Sequence, residues 1–142
     1  FLLWPSWAHQ IPQRIKPGFR DRVQVMDEPA TITFHGLGAA AGIWQVPSRA
    51  AFDQLEDLHP WSPPQVTMRF NYKPDKPLYL LAVRVSKLAK PRTVSNIPAY
   101  AGCRSWVPLS QDDAVDDAGA TPVLADDAFA ALLTRMQIAM RV

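Results

Sequence analysis

The sequence has few of the residues that form disulfides or bind metal ions in small proteins, and no long apolar segment that could cross a membrane. Its 142 residues include one cysteine, Cys103, and three histidines. One cysteine excludes an internal disulfide, and no histidine spacing matches a compact zinc-ligand pair. The longest apolar run, residues 77–83, is far shorter than the roughly 20 residues that cross a bilayer. We therefore predict a cytoplasmic protein that holds no metal ion and no cofactor.

Proline, by contrast, is abundant and divides the chain into short elements. The 14 prolines fall mostly between apolar segments, which is typical of short strands joined by loops rather than of a helical bundle. A chain of this length buries roughly two-thirds of its unfolded surface and fits one domain.

The net charge of +2 conceals an uneven distribution along the chain. Residues 66–104 carry eight basic side chains and one acidic one, whereas six aspartates and two arginines follow them. A basic block attracts phosphates and other anions. The lysines of this block would also suit the solvated outer face of edge strands. Both interpretations stay open.

Hydrophobic periodicity predicts a mixture of strands and helices. In the first predicted helix, Ser48 is a good N-cap, and Phe52, Leu55 and Leu58 share one face. Prolonged alternation favours strands, with a bend where glycines interrupt the second one. The predicted strands cover residues 1–7, 30–46, 65–72, 77–88 and 103–109, and the predicted helices cover residues 48–58 and 126–142.

The order of these elements predicts an α+β fold. We expect a strongly curved mixed sheet or partial barrel, with one helix across it and a C-terminal helix. Residues 1–110 would form a single α+β domain, and residues 111–125 an acidic linker that packs poorly because it has few apolar side chains. Residues 126–142 would form the C-terminal helix.

Aromatic residues are the main indication of a binding surface. One small core does not bury five tryptophans completely, so some are expected to line a pocket beside the basic strands, where rings can stack bases. The alternative is that they pack in the core or at a subunit interface. The five are Trp4, Trp7, Trp44, Trp61 and Trp106.

Four segments together resemble a known family. They are FLLWPSWAHQ, LEDLHPW, KPLYLLAVRVSKLAKP and IPAYAGCRSWVPL, in this order. They resemble the uncharacterised bacterial family called domain of unknown function 1802, over residues 1 to about 109. The resemblance implies an N-terminal strand pair upstream of residue 1, which this sequence lacks. Members often have His-Ile-Trp where this chain has His-Pro-Trp at residues 59–61. The resemblance also singles out His9, Gln10, Cys103, Arg104 and Trp106.

The first functional hypothesis is a small soluble module that binds nucleic acid or a nucleotide-like anion. It uses an aromatic pocket with a basic rim, and His9, Gln10, Arg104 and Trp106 form its binding cluster. The planar guanidinium of Arg104 can donate two hydrogen bonds to one phosphate or carboxylate. Cys103 would then be a packed structural residue.

The second hypothesis is a small hydrolase or transferase. His9 would act as the base for a Cys103 nucleophile, and Arg104 would hold an anionic group of the substrate. A protein-interaction domain is a third possibility. The sequence does not decide among these classes, nor does it reveal the ligand or the oligomeric state.

Overall fold

Two long antiparallel strands form the centre of the structure. This computed structural model describes residues 1–4, 7, 10–100 and 106–141. Strand β1 spans Thr31–Gln45 and pairs with β2, Tyr79–Ser95. A two-residue strand, β3, Thr121–Pro122, pairs with the other edge of β2.

Two irregularities bend this ribbon. Ala41 is an extra residue on β1, and residues 88–91 of β2 lie opposite the single residue His35. Bulges of this kind kink a strand and increase its twist. Leu88, inside the second one, is buried. The predicted strand over residues 30–46, with a bend at its glycines, is thereby confirmed by β1.

The helices are short except for the last one. Within the described residues, the α-helices α1 to α4 span Pro17–Arg20, Arg49–Asp53, Pro63–Asn71 and Asp126–Ala139, and 3-10 turns span Pro12–Arg14, Glu56–Leu58 and Gln111–Asp113. None of the helices in the described residues is long and apolar enough to cross a membrane.

The first predicted helix begins where expected but ends early. Ser48 Oγ accepts a hydrogen bond from the Ala51 N–H at 3.1 Å, as the N-cap pattern predicts. Beyond Asp53 the backbone passes into a turn and a 3-10 turn. There Lys16 Nζ donates to the carbonyl oxygens of Glu56 and His59. These carbonyl groups therefore find a donor without continuing the α-helix.

The predicted strand over residues 65–72 is wrong, because these residues belong to α3 and the turn after it. Val66, Met68 and Phe70 alternate with polar residues, which suits a strand, but Val66 and Phe70 are also one helical turn apart. Val66 is 3% exposed and Met68 is 42% exposed. Burial thus follows the helical spacing, and a Pro-Pro pair starts the helix where missing N–H groups cost least.

The predicted mixed sheet is also wrong, although the α+β class is confirmed. Every strand pairing among the described residues is antiparallel. The reason is that β2 starts opposite Gln45, where β1 ends, so the intervening chain leaves and re-enters the sheet at the same end. Residues 106–109 form no strand, and the rest of the predicted strand over 103–109 lies outside the described residues.

Two hydrophobic clusters lie at opposite ends of the ribbon. The first, near the Thr31–Ser95 end, contains Ile32, Phe34, Leu88 and Val94, with Trp4 and Trp7 packed against it. The second, near the Gln45–Tyr79 end, contains Ala51, Leu55, Ala139 and Met140, with Trp44 and Leu80 packed against it. Leu55 is 2% exposed, so the predicted burial of Leu55 is confirmed and α4 shares a core with the turn after α2.

The acidic segment 111–125 contacts the sheet at several points. Val115 packs against the first cluster, and β3 pairs with β2 within this segment. Asp113 Oδ2 accepts a hydrogen bond of 2.6 Å from Tyr100 Oη. The division into a domain, a linker and a C-terminal helix stays a prediction, with α4 lying inside the predicted helical range.

Candidate binding groove

An open groove with a volume of about 1420 Å³ follows one face of the ribbon. Tyr79, Leu81 and Val83 line it, and alternate residues of a strand point to the same face. The other aromatic lining residues are Phe1, Trp4, Trp7, Phe34, Tyr100 and Trp106. The predicted aromatic pocket therefore has a counterpart in the described part of the chain.

Phe1 is seated in the middle of the groove by a glycine. The Gly38 N–H donates to the Phe1 carbonyl at 2.7 Å. A Cβ atom at Gly38 would lie 2.8 Å from the Phe1 ring and 2.6 Å from Val83 Cγ1, so only glycine allows this approach. Trp106 lies edge-on to Phe1, with 5.1 Å between ring centroids, and is 66% exposed. An open indole surface thus faces the solvent beside a fixed ring.

The side chain of a buried tyrosine, Tyr100, connects the two ends of the segment that carries Trp106. Tyr100 is 3% exposed, and its ring lies 5.7 Å from that of Trp4. Its hydroxyl donates to Asp113 Oδ2 at 2.6 Å and accepts from the Ser110 N–H at 2.9 Å. These bonds hold residues 100 and 110 together, which fixes the two ends of the segment around Trp106.

The acidic end of the groove consists of Asp27 and Glu28, and Gln10 positions it. Gln10 Nε2 donates to the carbonyl oxygens of Trp7 and Met26, both at 2.7 Å. Gln10 Oε1 accepts from the Met26 N–H at 3.1 Å. Both amide hydrogens of Gln10 are therefore donated to backbone, and its predicted contact with a ligand stays a prediction.

Asn96 fixes the acidic end relative to the sheet. Its Nδ2 donates to Glu28 Oε1 at 2.9 Å and to the Pro29 carbonyl at 3.0 Å. Asn96 Oδ1 is buried and has no hydrogen-bond partner in the described part of the chain. Since Asn96 follows the last residue of β2, the acidic end lies where β2 ends.

We call Arg69, which lines the groove, together with Lys73 and Lys76 in the turn after α3 the basic end, although the two lysines do not line the groove. Arg69 belongs to α3, which packs on α2 through the hydrogen bond of 2.9 Å from Arg49 Nη1 to Thr67 Oγ1. Because α2 directly follows β1, the basic end lies at the Gln45–Tyr79 end of the ribbon. The groove is therefore acidic at one end and basic at the other.

Two arginines of the basic block interact with other groups of the chain. Arg84 Nη2 lies 2.6 Å from Asp126 Oδ1, and its guanidinium lies over the Phe129 ring at 4.6 Å. Arg92 Nη2 donates to the Asp112 carbonyl at 2.9 Å. In contrast, the cations of the basic end form no ion pair with a carboxylate among the described residues. Among the described residues, Arg69 is the one basic side chain that lines the groove, although Lys87, Lys90 and Arg92 also form no ion pair with a carboxylate.

His59 forms a second aromatic and polar cluster, which does not line the groove. Burial, reinforced by the nearby charge of Lys16, lowers the pKa of His59 below its usual range. Its ring stacks on Phe52 at 4.9 Å between centroids. Its Nδ1 accepts from the Trp61 N–H at 3.2 Å, so the neutral ring carries its proton on Nε2.

Gln10 and Trp106, two of the predicted site residues, both line the groove. His9, Cys103 and Arg104 lie outside the described residues, so the catalytic and anion-binding roles assigned to them stay predictions. No group of three or more metal-ligating side chains is found in the described part of the chain.

Sequence reasoning missed the acidic end of the groove, whereas Arg69, Lys73, Lys76 and Tyr79 all belong to the basic, aromatic part of the sequence that it singled out. Asp27 and Glu28 lie in a loop directly before Pro29, so hydrophobic periodicity does not reveal them. The apolar run over residues 77–83 is continuous, so it did not show that Tyr79, Leu81 and Val83 share one face.

A protein-family model described as a domain of unknown function (DUF1802) matches residues 1–135. The match reaches about 26 residues beyond the resemblance seen in the sequence motifs and includes most of α4. No curated protein and no solved structure matches the chain.

Proposed function

This chain belongs to the DUF1802 family, and we propose that it binds single-stranded nucleic acid or a nucleotide-like anion in the aromatic groove. The observation that carries the proposal is the exposure of aromatic rings along the groove. Trp106 is 66% exposed and Tyr79 is 61% exposed. Every nucleobase has a flat aromatic face, so such rings stack bases with little sequence preference.

The size of the groove supports a polymeric ligand. Its volume of about 1420 Å³ exceeds the roughly 300–1,000 Å³ that is typical of small-molecule sites. The register places Tyr79 opposite Gln45, at one end of β1, and Phe34 near the other end. Gln45 lies 11 positions after Phe34 on β1, which corresponds to at most about 36 Å at ~3.3 Å per residue.

The charge distribution supports one orientation of the ligand. Phosphates are attracted to the basic end, where Arg69, Lys73 and Lys76 have no carboxylate partner among the described residues. Asp27 and Glu28 repel phosphates at the other end. We propose that the backbone of the ligand approaches the basic end while bases lie along the rings.

Two further features belong to this proposal. A strongly curved sheet or partial barrel would wrap the β1–β2 ribbon around the ligand. The two bulges support it, because bulges increase twist and bending. A cytoplasmic location is supported by the single cysteine, which stays reduced there.

Fluorescence anisotropy with a labelled single strand of about 12 nucleotides tests the proposal, since single-strand sites cover roughly 4–16 nucleotides. Trp106→Ala is expected to weaken binding about 5- to 150-fold, because stacking contributes ~1–3 kcal/mol per base. Trp61→Ala is the matched control, since Trp61 is 40% exposed and lies outside the groove. If the wild-type protein shows no saturable binding, the proposal is wrong.

The ionic part of the interaction has its own test. Arg69→Glu is expected to weaken binding and to reduce the dependence of affinity on salt, because a phosphate contact releases counterions. Arg141→Glu makes the same charge change on an exposed residue outside the groove. Equal effects of the two substitutions would show that only net charge matters.

The same assay tests the two roles predicted from the sequence. Arg104→Lys keeps the charge but loses the two-pronged donor, so binding is expected to fall. Cys103→Ser is expected to leave binding unchanged. The opposite pattern, with Cys103→Ser abolishing a hydrolase or transferase activity and Arg104→Lys silent, would favour the enzyme hypothesis.

A further inference from the structure

The end of helix α3 carries an exposed aromatic ring that does not line the groove. Tyr72 directly follows the last residue of α3, keeps helical backbone angles and is 62% exposed. Met68 lies one helical turn before Tyr72 and is exposed as well. In contrast, Val66 is buried and Phe70 packs against Phe52. The helix end therefore presents Tyr72 to solvent on a different side from the one that packs on α2.

Two cations lie against the Tyr72 ring. Arg69 Cζ lies 6.0 Å from the ring centroid, and Lys73 Nζ lies 5.1 Å from it. Distances of this size are typical of cation–π contacts, which hold a cation at a ring face. Neither cation forms an ion pair among the described residues, although Asp75 lies in the same turn. The ring thus positions two charges that no carboxylate of the described residues neutralises.

Arg69 connects this ring to the groove, because it contacts Tyr72 and also lines the groove. The turn that leads from Tyr72 to Tyr79 is short and constrained. The Lys76 N–H donates to the Lys73 carbonyl at 3.0 Å, and prolines at positions 74 and 77 restrict the backbone. The exposed ring of Tyr79 lines the groove just beyond this turn. The Tyr72 ring and the groove therefore share one cation and are joined by one constrained turn.

We propose that a bound single strand continues beyond the groove onto Tyr72, so that the binding site includes the end of α3. This inference rests on the proposed function of the groove. A base stacks on the exposed ring, and the phosphates that flank this base are attracted to Arg69 and Lys73. Charge complementarity favours a polyanion as the occupant, since an apolar partner would desolvate two cations without supplying an opposite charge.

Fluorescence anisotropy with a single strand of about 12 nucleotides tests the ring. Tyr72→Ala is expected to weaken binding about 5- to 10-fold, near the lower limit for one stacked base because the ring is open to water. Tyr72→Phe keeps the ring and is expected to bind like the wild-type protein. Because Tyr72 is exposed, Tyr72→Ala should unfold at nearly the wild-type temperature. Unchanged affinity of Tyr72→Ala overturns the inference, whereas a loss with Trp106→Ala in the same assay would leave the proposed function standing.

Lys73→Gln tests the ionic contact without changing the ring. The slope of log affinity against log salt concentration is expected to become shallower by about 0.7, the value for one phosphate contact of a single strand. Lys90→Gln is the matched control, because Lys90 is an exposed lysine outside the groove lining and lies toward the other end of the ribbon. Equal slopes for the two variants would show that only net charge matters and would overturn the inference.

An anionic lipid surface has the same charge as a nucleic acid and also attracts basic segments. Vesicles that contain phosphatidylserine therefore serve as the second probe. Vesicle binding that Tyr72→Ala abolishes, together with an unchanged affinity for the oligonucleotide, would assign the ring to a lipid surface and overturn the inference. Absence of saturable oligonucleotide binding by the wild-type protein refutes the proposed function together with this inference.

Discussion

Replacing Tyr100 by phenylalanine tests whether the hydrogen bonds of its hydroxyl hold together the two ends of the segment that carries Trp106. The substitution keeps the ring, which packs 5.7 Å from Trp4, and removes only the hydroxyl. That hydroxyl donates to Asp113 Oδ2 at 2.6 Å and accepts from the Ser110 N–H at 2.9 Å. The change therefore isolates hydrogen bonding from packing.

The expected loss of stability follows from these two bonds. A hydrogen bond to a charged group contributes about 1.5–3 kcal/mol, and a neutral one about 0.5–1.5 kcal/mol. Ser110 is exposed and its Oγ still donates to Asp113 at 3.1 Å, so water and this second donor recover part of the loss. We expect Tyr100→Phe to reduce the free energy of unfolding by about 2 kcal/mol. This corresponds to a fall in Tm of roughly 6–10 °C for a chain of this size.

Urea unfolding followed by tryptophan fluorescence measures this loss. Tyr79→Phe is the matched control, because Tyr79 is 61% exposed and is expected to change stability little. Tyr100→Phe combined with Asp113→Asn should be less destabilising than the sum of the two single changes, by about 0.5 kcal/mol or more. A loss below about 0.5 kcal/mol, or simple additivity, would refute the idea that these residues act together.

Three other predictions follow from the core, the groove and His59. Leu55→Ala should cost about 2–5 kcal/mol of unfolding free energy, and an effect near zero would contradict the burial of Leu55. Gly38→Ala should displace Phe1 or Val83 from the groove and weaken oligonucleotide binding, whereas unchanged binding would show that the Phe1 ring is not needed there. Because burial lowers the pKa of His59 in the folded protein, the unfolded chain binds a proton more readily. The free energy of unfolding should therefore fall as the pH drops through about 6.5. His59→Asn, whose Oδ1 can replace Nδ1 as an acceptor, should reduce this pH dependence, and an identical dependence would count against it.

Much of the local structure was predictable because it depends on neighbouring residues. The alternation along residues 30–46 predicted β1, and the glycines predicted its bend. Ser48 predicted the start of α2, and the spacing of the apolar residues predicted that Leu55 is buried. Each of these depends on the backbone geometry of a few residues in sequence, which side-chain periodicity reports directly.

Where one local pattern fitted two structures, the sequence was not decisive. Val66, Met68 and Phe70 suit a strand, but two of the three also suit one face of a helix, and α3 is what forms. Packing of Phe70 against Phe52, with 6.0 Å between ring centroids, favours the helix. That contact joins residues from two different elements, so no window of sequence contains it.

The sequence shows the net charge of each block correctly, but it does not show which of these charges remain unpaired on the surface of the folded protein. The sequence determined that a basic block precedes an acidic segment, but Arg84 meets Asp126 only in the folded chain, 42 positions apart. The net charge of a block does not reveal which of its cations remain without a partner. Tertiary structure decided that Arg69, which forms no ion pair with a carboxylate among the described residues, lines the groove.

The groove itself was decided by tertiary structure. Its acidic end depends on Asn96 binding Glu28 across 68 positions, and its middle depends on Phe1 lying over Gly38, 37 positions away. The sequence alone determined that aromatic side chains outnumber what the core can bury, and which strands carry alternating apolar residues. Which rings share one face was set by the strand register and its two bulges, because each extra residue moves the following side chains to the opposite face of the sheet.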